Sequence, residues 1–475
     1  GRVVGDEGAS HAVRSDALEV LGRPGHVLTA DVDDTVEVQH GQVVGPAEGV
    51  GGDIRGGTDH DLSLARRSGI TARQAPARTL GRMDTGTVVT PPYVAGPLQL
   101  APFRGLRLDP SRVGDPATAR LFARPFRSVA GRVRQWEAQG HLVHEARPCL
   151  YLHEYTVNGV TVRGLMGALD VSRRATDPDQ RAVLPHEGIY PAQADNLADR
   201  MHQMDLNPAP ILLVQDSPAQ LRQLLHRQRQ ATPDSCFVDR AGCAHRLWHL
   251  DDPLVIETIA ELLAPTTAVI ADGHHRYAAY LRLQQRQPGP GFDHGLAMIV
   301  DDGDTPLFLG AIHRVLHGSS VDDVAVAARS VGIDTRPAHQ AEALAALSPG
   351  VLIATDNERW LRVHVGARPD RVEIETLHDR LVPALAHGPT RISHHHSAAE
   401  ALSHAHRDDT TAILLPAPRF DQVQRVVQAD RLFPEKATSF QPKPPLGVLL
   451  RKVHDEGAEP PTLPPRRVKR SRQRS

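Results

Sequence analysis

The chain has 475 residues, is 40% hydrophobic, and balances 54 basic against 56 acidic residues for a formal net charge of -2. That allows roughly two or three domains with a sizeable core, and it excludes a whole-protein attraction to nucleic acid or anionic lipid. The 3 cysteines, Cys149, Cys236 and Cys243, are too few and too irregularly spaced for a disulfide framework or a C-x2-C zinc site.

No apolar run is long enough for a membrane span, and no basic-then-apolar leader opens the chain. The expectation is a cytoplasmic protein in a reducing compartment. Residues 1–82 are Gly-rich and lack helical or alternating periodicity, so they read as a disordered or non-native extension. Residues 83–455 read as an α+β core of mixed sheets with flanking helices and a subdivision near 330–345. Residues 456–475 read as a basic, disordered tail.

Within the core, Ser128 to Gln139 places Val129, Val133 and Trp136 on one helical face, and Gly140 can end that helix. Cys149–Val157 and Val160–Val171 are apolar, β-rich runs joined by Asn158-Gly159, a strong hairpin signal. Asp252-Pro253 opens a helix with Ile256, Ile259 and Leu263 inward. Thr267–Ala271 reads as a buried strand and Tyr277–Gln285 as the helix after it.

Gly295–Val300 and Pro306–Ile312 are expected to pair around Asp301-Asp302-Gly303-Asp304. Val351–Thr355 and Trp360–Val365 pair through Asp356-Asn357. His394-His395-His396 reads as a loop. Ser397 and Glu400 have the spacing of a capping box. Thr411–Leu415 reads as a strand, and Phe420–Ala429 as a helix with Val423, Val426 and Val427 inward.

The densest group of chemically active residues is Asp272-Gly273-His274-His275-Arg276, between a strand and a helix. Free backbone N–H groups at a helix start favour anions. Gly273 allows close approach of a phosphate, and Arg276 can fork onto it. Asp272 can hold Mg²⁺, and the histidines can move protons or contact phosphate. The plain alternative is a capping loop with Asp272 as the cap.

A second group is His186-Glu187, an imidazole beside a carboxylate suited to general-base work. Asp195, Arg200 and Asn207 follow it. A third is Lys436, Thr438 and Lys443, in a segment held extended by proline, where lysines suit polyphosphate. A P-loop, a G-x-S-x-G elbow and an H-E-x-x-H helix are all absent, which disfavours those enzyme classes.

The chain resembles the domain of unknown function 1015 family, described as ParB-like. The resemblance rests on Ala101-Pro-Phe-Arg-Gly-Leu-Arg107, Arg163-Gly-Leu165, Leu184-Pro-His-Glu187, Ala271-Asp-Gly-His-His-Arg-Tyr277, His313-Arg314 and the Pro434–Lys443 segment. It implies a ParB-like nucleotide-binding core with further α/β portions. Some relatives are free-serine kinases, so the resemblance implies phosphorylation of a free small-molecule hydroxyl, with ATP or ADP and Mg²⁺.

Under that reading Glu187, next to His186, deprotonates the acceptor. Asp272, His274, His275 and Arg276 handle phosphates and metal, beside Gly273. Lys436 and Lys443 neutralise transferring charge, with Thr438 between them. The chain departs from the family pattern in lacking Ala-Pro-Pro-Tyr-Asp after the Phe-Arg-Gly-Leu segment, with Thr90-Pro-Pro-Tyr93 ahead of it instead. Two other readings stand beside the kinase. One is a ParB-like nucleotide-binding regulator without turnover, and the other is a metal-assisted phosphoester hydrolase. A small-molecule substrate is expected, nucleic acid and membrane are not, and the sequence leaves the oligomeric state open.

Overall fold

The computed structural model describes residues 88–116, 118, 122, 129–405, 409–434 and 436–454. The expectations for residues 1–82 and for the basic tail lie outside these residues.

The chain is α+β, as its patterning predicts. Its largest sheet has 10 strands. Across the sheet they run Val94–Ala95, Arg181–Leu184, Ala268–Asp272, Ile211–Gln215, His294–Asp301, Val160–Asp170, Leu150–Val157, Ala244–Leu250 and Ser235–Val238, with Leu100–Ala101 on the Val160 strand. The sheet is mixed: Ala268–Asp272 runs parallel to Arg181–Leu184 and antiparallel to Ile211–Gln215.

The Asn158-Gly159 hairpin forms as expected, with Asn158 at φ 50° and Gly159 at φ 80°. Positive φ at both turn residues matches the right-handed twist of the flanking strands. The helix Val129–Ala138 buries Val129 and Val133. Asp252 caps the helix Pro253–Leu263 by accepting from the Leu254 N–H at 2.9 Å. Ile259 and Leu263 of that helix are fully buried.

The expected pairing of Gly295–Val300 with Pro306–Ile312 does not occur. His294–Asp301 lies between Val160–Asp170 and Ile211–Gln215, while Phe308–Ala311 pairs with Thr438–Gln441. The intervening turn is tied elsewhere. The Asp301 carboxylate accepts from the N–H groups of Gly303 and Ser217 and from Arg222 Nε at 2.6 Å. The chain therefore leaves the sheet at Asp301 instead of folding back.

A second sheet of 6 strands runs in the order Asp334–Ala338, Trp360–His364, Val351–Thr355, Thr410–Leu414, His313–His317 and Arg391–His395. The Asp356-Asn357 hairpin is present, with Asn357 at φ 75°. The helix Phe420–Gln428 turns Val423, Val426 and Val427 inward.

His394 and His395 lie on a strand and not in a loop, because they pair with Arg314 and His313 respectively. Successive strand residues face opposite ways, so these two imidazoles have different surroundings. After this sheet the chain returns to the first part. Thr438–Gln441 joins Phe308–Ala311, and Leu450–Lys452 joins Gly105–Leu108 and Leu206–Asn207.

Candidate active site

The strand Ala268–Asp272 ends directly on Gly273, and the helix His274–Arg286 starts at the next residue. The helix thus begins three residues earlier than the apolar pattern places it, and His274, His275 and Arg276 form its first turn. Gly273, not Asp272, is the N-cap, at φ +90°. That left-handed conformation suits a residue without Cβ. A Cβ there would also meet the Arg276 guanidinium at 2.9 Å.

With no capping bond to make, the Asp272 side chain is free for other work. One carboxylate oxygen accepts from Arg276, and Lys443 Nζ lies 2.8 Å from the other. Arg276 also donates to the Pro210 carbonyl and is 5% exposed. Burial by itself would raise the Asp272 carboxyl, but Arg276 and Lys443 outweigh it and hold the group below the usual carboxylate range.

The other half of the site comes from the residues after the strand Arg181–Leu184. His186 is fully buried. Its Nε2 sits 2.6 Å from Thr438 Oγ and 3.7 Å from Glu187 Oε1, and its Nδ1 has no hydrogen-bond partner among the described residues. Phe433 and Phe440 pack edge-on against its ring, each at 5.8 Å. Glu187 Oε1 accepts from the Ala437 N–H at 3.1 Å and from Thr438 Oγ at 3.4 Å. Burial opposes ionisation of Glu187, yet His186, His274 and the Ala437 N–H together bring its pKa down to about 2.

The two loop histidines join these halves. The His186 N–H donates to His274 Nε2 at 3.4 Å, and the Tyr190 N–H donates to His275 Nε2 at 3.0 Å. The rings of His186 and His274 meet at 4.6 Å, and Tyr190 stacks on His275. Burial, aided by His186, pushes His274 down to about 3, so its imidazole is neutral at pH 7.

The structure therefore brings together His186, Glu187, Asp272, Gly273, His274, His275, Arg276, Thr438 and Lys443. Lys436, next to Ala437, is at φ 51°. Its carbonyl accepts from the buried Arg314 at 2.9 Å, and its charge acts on His394. Asp195 pairs instead with Arg282 at 2.7 Å, and Asn207 serves Arg451 at 3.0 Å. Thr90-Pro-Pro-Tyr93 does reach this helix, since Tyr277 Oη donates to the Pro92 carbonyl at 2.8 Å.

Three participants were given no role in the sequence reading. The Ala437 N–H is a main-chain group that no side-chain motif announces. Phe433 and Phe440 look like ordinary core residues until the chain return sets them against His186.

Among solved structures, a free serine kinase variant in complex with ADP is similar at 13% identity, over 56% of this chain and 88% of that one, with a TM-score of 0.33. SbnI with a C-terminal truncation from Staphylococcus aureus is similar at 11% identity, over 57% and 83%, with a TM-score of 0.33. A conserved hypothetical protein from Pyrococcus furiosus is similar at 14% identity, over 56% and 92%, with a TM-score of 0.31. No curated protein matches the chain. The family model described as "Protein of unknown function (DUF1015)" matches residues 95–373, a span that contains both His186-Glu187 and the Asp272–Arg276 turn, and the chain belongs to that family.

Proposed function

We propose that this protein is a nucleotide-dependent kinase acting on the hydroxyl of a free small molecule, with L-serine the first acceptor to test and ATP or ADP the donor. The observation that carries this reading is that two ionised carboxylates, Glu187 and Asp272, both act on the His274 imidazole, with Arg276 and Lys443 on Asp272. Phosphoryl transfer asks for positioning and charge neutralisation more than for covalent chemistry.

Lys443 sets its ammonium on one Asp272 oxygen and can act on a phosphate as a point charge. Arg276 is tied to both Asp272 and Pro210, so it supplies fixed charge and shape. The ammonium on Asp272 marks a place where a cation is already favoured. Mg²⁺ entering with the nucleotide would take Asp272 as its carboxylate ligand and neutralise phosphate charge.

A carboxylate with a pKa near 2 is a weak base at the start of a reaction. A loose transition state needs proton removal only late, so Glu187 orients the acceptor hydroxyl and receives its proton as the new bond forms. The acceptor oxygen bonds to phosphorus while the phosphoanhydride bond breaks, and the nucleotide leaves one phosphate shorter. His274 and His275, whose Nε2 atoms accept backbone N–H groups, position the 186–190 segment against the helix start.

Phosphorus-31 NMR of the protein with Mg²⁺, ATP or ADP, and amino acids including L-serine tests this. The expected result is a new phosphomonoester signal that disappears with Glu187→Gln. Intact nucleotide with no new signal would overturn it in favour of a ParB-like binding module. Free phosphate alone would overturn it in favour of a hydrolase.

A further inference from the structure

On the strand Arg391–His395, far along the chain from Glu187 and Asp272, His395 is 6% exposed. Its Nε2 lies 2.9 Å from Ser393 Oγ, and that hydroxyl lies 3.0 Å from His317 Nε2. A hydroxyl has one proton to give. When His395 Nε2–H donates to Ser393 and Ser393 donates to His317, the Nδ1 of His395 carries a bare lone pair.

That Nδ1 is buried and has no hydrogen-bond partner among the described residues, yet Glu400 Oε1 stands 3.2 Å away. In that tautomer a lone pair faces a carboxylate oxygen, and a cation shared between the two removes their repulsion. The opposite tautomer does not resolve the conflict, because the contact lacks the geometry of an N–H···O bond.

Glu400 has been drawn away from its usual local task. Ser397 Oγ accepts from the Glu400 N–H at 3.1 Å, which is one half of a capping box. The reciprocal bond from the Glu400 carboxylate back to the Ser397 N–H is absent, and the carboxylate faces His395 instead. His404 lies four residues beyond Glu400, at the end of the helix Ala398–Ser403, and residues at that spacing share a helical face. Its ring is 4.7 Å from that of His395. One donor atom from each of the three side chains lies within 4.8 Å of the others.

We propose that His395, Glu400 and His404 bind a divalent transition-metal cation of the zinc type. Two imidazoles and one carboxylate suit zinc and its neighbours better than magnesium or calcium. Ser393 fixes the tautomer of His395 from its far side, as outer partners of ligating histidines do. Glu400 and His404 are exposed, so the cation enters from solvent and water completes its shell. The ion pins the helix Ala398–Ser403 to the edge strand. The next residue, His396, reaches Ser439 Oγ at 3.2 Å, beside Thr438 of the candidate active site.

The buried trio Asp239, Cys243 and His245 also clusters, but there the carboxylate is satisfied. Asp239 accepts from the N–H groups of Ala241 and Cys243 and faces His245 Nε2 at 3.2 Å.

The test is calorimetric titration of the chelator-treated full chain with zinc chloride, beside Glu400→Gln and His404→Ala. Both substitutions are at exposed positions, and circular dichroism checks that each variant is folded. The expected result is a one-to-one phase in the parent whose affinity falls at least about tenfold in each variant, no less than the loss of an outer partner costs. Absence of that phase in the parent, or an affinity retained by either folded variant, would overturn the proposal.

Discussion

At the scale of single residues, the turn between strand and helix depends on a glycine that lets two charged groups meet. Gly273→Ala must hold an L residue at φ +90° and push its Cβ toward the Arg276 guanidinium. We expect a loss of about 1–2 kcal/mol, read as a lower denaturation midpoint with an unchanged slope. Lys443→Ala removes an ammonium without unseating Arg276. It should weaken nucleotide binding by about 1.5–3 kcal/mol, the scale of a charged hydrogen bond, with calorimetry as the check. An unchanged affinity would remove Lys443 from the site.

The helix start and the 186–190 segment form one element-level unit, and their protonation links them to stability. His274 has a folded pKa of about 3, below its ordinary value of about 6.5. Between these values the unfolded chain binds a proton that the folded chain refuses, so stability falls as pH drops from 7 toward 3. Glu187 has a folded pKa of about 2. Its contribution is complete above its ordinary value of about 4.3 and is lost as pH falls through 2. Urea unfolding at a series of pH values should therefore show His274→Asn flattening the slope between pH 7 and 4. Glu187→Gln should leave that window unchanged and alter the curve only below it. A slope untouched by His274→Asn would mean that the imidazole is not held neutral.

For the whole molecule, the return of the chain after residue 430 completes the site. It brings Ala437 to Glu187 across 250 positions and carries the strand Leu450–Lys452 into the sheet with Gly105–Leu108 and Leu206–Asn207. Arg451, 6% exposed, fastens that strand. It donates to Asn207 Oδ1 at 3.0 Å and to the carbonyls of His294 at 2.9 Å and Gly291 at 2.8 Å. Arg451→Ala takes a charged donor from three acceptors, of which Asn207 Oδ1 keeps the Leu296 N–H, and a loss of about 1.5–3 kcal/mol is expected. Thermal unfolding checks this. The same variant should lose nucleotide binding as the return segment loosens, although Arg451 does not touch the site.

Local chemistry was legible in the sequence alone. The Asn158-Gly159 and Asp356-Asn357 turns, the Asp252 cap and the inward valines of the Phe420–Gln428 helix all follow from short-range periodicity and turn preference. So does the placing of Gly273 between a strand and a helix, although the strand takes in Asp272 and the helix takes in Arg276. The errors arose where partners lie far apart in the chain. Phe308–Ala311 paired with Thr438–Gln441 instead of its neighbour, and His394-His395 became a strand because His313–His317 was there to accept it. Motif content put Glu187, Asp272 and Lys443 forward as candidates, but only the tertiary structure set Lys443 on Asp272 and joined Glu187 to Ala437. Residue type and local spacing determine which groups are capable of chemistry. Which of them meet depends on strand pairing and chain return, whose energies come from packing against partners hundreds of positions away.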